Sequence, residues 1–178
     1  LSFYKFTIQK IKDKEKYLNL KSLSPFPLAL IQKCKNEIEG ICIARNLINS
    51  PPNILNPSEY EKQIFKIFNK ENVEINVFKG KKFKESFPLI HFVGRSSEHE
   101  PRLIEVTFKN SYHKKVPNIV LIGKGITFDS GGLDLKPSSS MLLMKKDMAG
   151  SAIAIGLAKT IISLKYKINL KLLIPIAE

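Results

Sequence analysis

Four short β-type runs alternate with stretches of helical period, and that alternation constrains the chain more than any other feature. VEINVFKG (73–80) has a period of two, RLIEVTF (102–108) is rich in β-formers, and NIVLIGKG (118–125) and KINLKLLIPIA (167–177) are short apolar runs. Continuous apolar runs suit strands covered on both faces, and strands that alternate with helices build layered sheets with parallel pairs. The expected fold is an α/β layered domain with a largely parallel (mixed) central sheet flanked by helices. A chain of 178 residues with 43% hydrophobic content is long enough for one such core.

Three helices are legible between the strands. From Leu28 to Ile48, Leu30, Ile31, Cys34, Ile38, Ile41, Cys42, the stem of Arg45 and Ile48 keep a helical period until NSPPN stops it. NPSEYEKQIFKIF restarts one, with Asn56 as N-cap, Pro57 at the first helical position, Glu59 three after the cap, and Tyr60, Ile64, Ile67 and Phe68 along one face. The third starts near Asp147, and its Ala149, Gly150, Ala152, Ala154 and Gly156 permit close packing on a sheet. Residues 1–20 carry only a weak alternation (Tyr4, Phe6, Ile8) and a charged run, so they read as an entry strand or linker.

The formal charge of +13 raises the question of nucleic acid, but the only arginines are Arg45, Arg95 and Arg102. Phosphate and base recognition favours arginine forks, so scattered lysines point to a solvated surface with no specific nucleic-acid partner. Cys34 and Cys42, eight apart in one helix, fit neither a zinc ribbon nor a disulfide scaffold. They read as reduced, buried thiols of a cytoplasmic protein. No apolar run approaches the ~20 residues that span a bilayer, so no membrane partner is expected.

GKGITFDSGGLDLKPSSSMLLMKKDMAGS (123–151) gathers Asp129, Asp134 and Asp147 with Lys124, Lys136, Lys145 and Lys146 around paired glycines. It leaves the strand at Ile119–Ile122, and ligand sites in such sheets lie beyond the carboxyl ends of strands. Familiar motifs fail on spacing. A P-loop would need glycine at Asn118 and a hydroxyl residue at Gly125; a dinucleotide fingerprint and a serine-hydrolase elbow would each need glycine at Phe128. His91, His99 and His113 are dispersed, without the paired spacing of an imidazole zinc site.

Carboxylate chemistry remains. Asp129, held in a turn by Gly131 and Gly132, and Asp147, at a helix start, are hard oxygen ligands suited to Mg, Mn or Zn. A lysine buried between carboxylates and a metal can lose its proton and donate a lone pair, which makes Lys124, flanked by glycines, a candidate ligand. Lys136 can instead stay charged and polarise a carbonyl. On chemistry alone a salt-bridged loop explains the cluster equally well.

GKGITFDSGGLDLKP followed by MLLMKKDMAGSA closely resembles the central motif of the leucine aminopeptidases, the cytosol aminopeptidase family of two-metal exopeptidases. ARNLINSPPNILNP and FPLIHFVGRSSEHEPRLIEVTF are similar to segments that precede that motif, so the resemblance covers about residues 40–178. It implies a zinc-exopeptidase-like fold and two divalent metal ions, Zn or Mn. Lys124, Asp129 and Asp147 would be metal ligands, Lys136 the catalytic lysine at the scissile carbonyl, and Met144 part of the pocket for the substrate's first side chain. The partners implied are peptides with a free N-terminus, and a homohexamer for the full-length family. Asp134 has no such role and reads as a loop carboxylate that caps or pairs locally.

Two carboxylates fall short of the four positive charges on two divalent ions, and after Asp147 the only acidic residue is Glu178. The resemblance places the family's other ligands, in an NTDAEGR motif, beyond residue 178. Residues 21–178 therefore resemble the first half of a catalytic domain, with the sheet cut in mid-build, and residues 1–20 a linker remnant from a missing N-terminal domain. As this piece, the chain is expected to be an incomplete and inactive aminopeptidase; the alternatives are a non-catalytic fragment or another carboxylate-metal-dependent hydrolase.

Overall fold

The computed structural model describes residues 26–110 and 115–178. The expected linker at 1–20 and His113 lie outside the described residues. In chain order the elements are α1 (Leu28–Asn49), α2 (Pro57–Phe68), β1 (Glu74–Phe78), α3 (Phe83–Ser86), α4 (Pro88–Gly94), β2 (Arg102–Phe108), β3 (Asn118–Ile122) and β4 (Gly125–Ile126). Then come α5 (Ser138–Met141), a 3-10 helix (Met144–Met148), α6 (Ala149–Ser163) and β5 (Asn169–Ala177). All four expected strands are present, and the sheet is mixed.

β5 is the central strand. β2 pairs with it antiparallel and carries β1, also antiparallel, on its far side. On the other side β3 and β4 run parallel to β5, because α6 provides the crossover that a parallel pair requires. β3 and β4 share one register, Asn118 opposite Asn169 and Gly125 opposite Ile176. They are a single edge that breaks at Gly123 and Lys124.

One face of the sheet makes the core. Ile104, Val106, Leu170, Leu172, Ile174 and Ile176 alternate along β2 and β5 and are buried under Ala152, Ile155, Ala158 and Ile162 of α6 and Tyr60, Ile64 and Phe68 of α2. The α2 cap forms as expected: Asn56 Oδ1 accepts the Glu59 N–H at 3.0 Å. Burying each of those large side chains stabilises the fold by about 1.5–3 kcal/mol. The opposite face carries α4 at one end, and Val120 and Ile122 of the β3 edge are exposed.

α1 has the expected span but not the expected inner face. Leu30, Ile31, Ile38 and Ile41 are exposed, while Gly40 and Leu47 are buried. Cys34 is exposed and Cys42 only half-buried, both free, so the expectation of buried thiols fails for the same reason. The helix turns its small residues inward because α6 approaches there: a Cβ on Gly40 would overlap Thr160 Oγ1 and the Gly156 carbonyl, and one on Gly156 would overlap the Gly40 carbonyl. Gly156 thus serves a helix–helix contact rather than packing on the sheet.

Gly40→Ala tests this crossing. Alanine is favoured over glycine by about 1 kcal/mol in a helix interior, but overpacking costs about 1–3 kcal/mol. With the Gly156 carbonyl as well as Thr160 Oγ1 in the way, the second effect should win, and the urea midpoint should fall. A raised midpoint would show that the helices separate freely.

Candidate metal centre

Lys124, Asp129 and Asp147 line one cavity of about 500 Å³ with Ile122, Gly125, Ile126, Pro175 and Ala177. It lies at the carboxyl ends of the parallel strands, as the strand order requires. Leu89, Ile90 and Val93 of α4 form an apolar wall. That wall was not singled out from the sequence, although Pro88 at a helix start and the i, i+1, i+4 apolar spacing after it were available signals.

Lys124 owes its place to its neighbours. A Cβ on Gly123 would overlap the Ser151 backbone, and one on Gly125 would meet the Pro175 carbonyl at 2.5 Å, so both positions require glycine. The Lys124 carbonyl accepts the Ser151 N–H at 3.0 Å, which ties the strand break to the first turn of α6. Its Nζ lies 2.9 Å from Asp147 Oδ2. The side chain is 59% exposed, contrary to the buried lysine expected.

Asp147 sits in the 3-10 helix just before α6, at the expected helix start. Its Oδ2 is shielded from solvent and lacks a hydrogen bond, the Lys124 ammonium being close but off the bonding direction. A shielded carboxylate oxygen in that state is suited to a cation.

Asp129 follows Thr127, a buried residue whose N–H bonds the Ala177 carbonyl at 2.9 Å. Asp129 Oδ1 accepts the Gly131 N–H at 2.8 Å, and Oδ2 accepts from Lys136 Nζ at 2.6 Å. The Lys136 hydrogen bond, then the Gly131 N–H, hold its carboxyl below the ordinary carboxylate value against a smaller opposing effect of burial. The loop turns on four successive left-handed residues: Gly131 (φ 79°), Gly132 (φ 93°), Leu133 (φ 45°) and Asp134 (φ 60°). Leu133 is the strained member, since aspartate tolerates that region and leucine does not. Lys136 Nζ also lies 3.4 Å from Met144 Sδ, so Asp129, Lys136 and Met144 form a row beside the cavity.

The structure therefore brings all five singled-out residues to one end of the sheet. Neither His91, on α4, nor His99, near Glu178, lines the cavity. Among the described residues no three His, Cys, Asp or Glu gather closely enough to hold a metal unaided. Two carboxylates and an amine do converge, and the shielded Asp147 oxygen, close to the Lys124 ammonium but without a hydrogen bond, makes them a fitting partial ligand set for a divalent ion.

Residues 42–178 match the cytosol aminopeptidase family, catalytic domain. The chain belongs to that family. It is 36% identical over 173 residues to a "Probable cytosol aminopeptidase" of Ehrlichia ruminantium, covering 94% of this chain and 34% of that protein. The crystal structure of the cytosol aminopeptidase from Coxiella burnetii superposes with a TM-score of 0.80 at 34% identity, over 92% of this chain and 36% of that one. The bottromycin maturation enzyme BotP in complex with Mn gives 0.77 at 30% identity, over 84% and 32%. The chain spans about a third of the length of the relatives it matches. Among the described residues no helix is long and apolar enough to cross a membrane.

Asp129 gives a pH test on the metal-free chain. Its folded value lies below the ordinary 3.8, so its contribution to stability is present above that value and is lost as pH falls through the folded one. Lys136→Ala removes the largest cause, so the Asp129 carboxyl should titrate higher by carbon-13 NMR. The variant should be less stable than the parent at neutral pH, and the difference should close in strong acid. An unmoved Asp129 titration would mean that the 2.6 Å pairing does not form in solution.

Proposed function

We propose that this chain contributes to a cytoplasmic, leucine-type metalloaminopeptidase that releases N-terminal residues from peptides with a free amine. The observation that carries this reading is the convergence of Lys124, Asp129 and Asp147 on one cavity, with a shielded Asp147 oxygen lacking a hydrogen bond. Those three would hold two divalent ions, Zn or Mn, and ligands from outside the 178 residues would complete the set. When bound, the ions supply Lewis acidity, polarising a carbonyl and making a nucleophile of water at neutral pH.

The remaining work belongs to the chain. Lys136, paired with Asp129, keeps an ammonium beside the cavity, where it donates to the carbonyl oxygen of the bond being cut. Met144 rests against that ammonium and offers a pliable apolar surface to the substrate's first side chain. The full-length protein would assemble as a homohexamer, by resemblance to its family.

The complete enzyme, supplied with Mn²⁺ or Zn²⁺, should release leucine from leucyl peptides and leave their N-acetylated forms intact. Equal cleavage of both would refute the aminopeptidase reading. There, Lys136→Ala should reduce kcat by roughly 10²–10³-fold, the range for losing one preorganised donor, while metal content measured by atomic emission stays nearly constant. Loss of metal would mean that Lys136 is a ligand instead. The isolated 178 residues should bind Mn²⁺ weakly and turn over a leucyl chromogenic substrate poorly or not at all; robust turnover would contradict the incomplete ligand set.

A further inference from the structure

A buried hydrogen-bond relay reaches the cavity's edge from α2. Ser151 Oγ donates to the Met148 carbonyl at 2.7 Å, which commits its only proton. Tyr60 Oη lies 2.6 Å from the same oxygen, so Tyr60 is the donor of that pair. Both residues are fully buried. Burial raises the Tyr60 hydroxyl far above its ordinary value, so it remains a donor throughout the working range of pH.

Ser151 also reaches the other side of the cavity. Its N–H bonds the Lys124 carbonyl at 3.0 Å, and its backbone fills the space where a Gly123 Cβ would stand. One residue thus grips both the segment that bears Lys124 and the carbonyl next after Asp147. Tyr60 fastens that residue to α2, which is itself fixed by the Asn56 cap and by Ile64 and Phe68 in the core.

We infer that Tyr60, acting through Ser151, is a positioning residue that sets the spacing of Lys124 and Asp147 and thereby the cavity's affinity for a divalent cation. The inference rests on the metal-site reading above. It goes further than a satisfied polar pair in a core, which would add stability without altering what the cavity binds.

Co²⁺ titration of the chain, followed by its visible absorption, tests this. Tyr60→Phe and Ser151→Ala should each weaken Co²⁺ binding roughly tenfold, the low end for groups that orient metal ligands. Combined, they should weaken it no more than Ser151→Ala does, because the two act along one path. Parental Co²⁺ affinity in Tyr60→Phe, even with a lowered metal-free Tm, would overturn the inference, as would independent effects that multiply. Asp147→Asn separates the two readings: if it binds Co²⁺ as the parent does, the metal site fails. The relay is then decided by amide exchange at Ser151 in the metal-free chain, relative to Ile155 and Ala158. Selective acceleration in Tyr60→Phe upholds it, and an unchanged ratio overturns it.

Discussion

The close approach between the break in the β3–β4 edge and the first turn of α6 governs the rest of this structure. Gly123 has no side chain because the Ser151 backbone occupies that space, and the Lys124 carbonyl turns out of the ladder to take the Ser151 N–H. A strand that kept its ladder bonds at this point would present Lys124 as another sheet residue. The break lets the amine face Asp147, while the shared register of β3 and β4 returns the chain to β5 and delivers Thr127 and Asp129 to the same end. Backbone contact, not side-chain packing, therefore sets the geometry of the site.

Charge is balanced locally at that end. Asp129 is paired with Lys136 and with a backbone N–H, whereas the shielded Asp147 Oδ2 has the Lys124 ammonium 2.9 Å away but no hydrogen bond. The two carboxylates are thus unequal: one is held by hydrogen bonds, and the other by an ion pair alone.

Much of this was legible beforehand. Alternating apolar runs located all four long strands, and the Asn56–Pro57–Glu59 signature located α2, because those signals are local. The inner face of α1 was not legible: that helix is apolar on several sides, and only the backbone of α6 decides that Gly40, rather than Ile38 or Ile41, lies inside. The five site residues could be singled out from their motif, and they do lie together. Missing were Tyr60 and Ser151 as a pair, since residues 91 positions apart become neighbours only through the fold. The wall from α4 was missed because a helix of seven residues gives too short a period to stand out.

The β3 border has a bearing on how the described part of the chain behaves among its own copies. Among the described residues it is a sheet margin with Ile119, Val120 and Ile122 exposed, the kind of template on which another strand can add. Mutual repulsion from a formal charge of +13 opposes that encounter and is screened within ~8 Å at physiological ionic strength. The lysines that read as an indifferent solvated coat therefore act as a colloidal safeguard, and added salt weakens the protection.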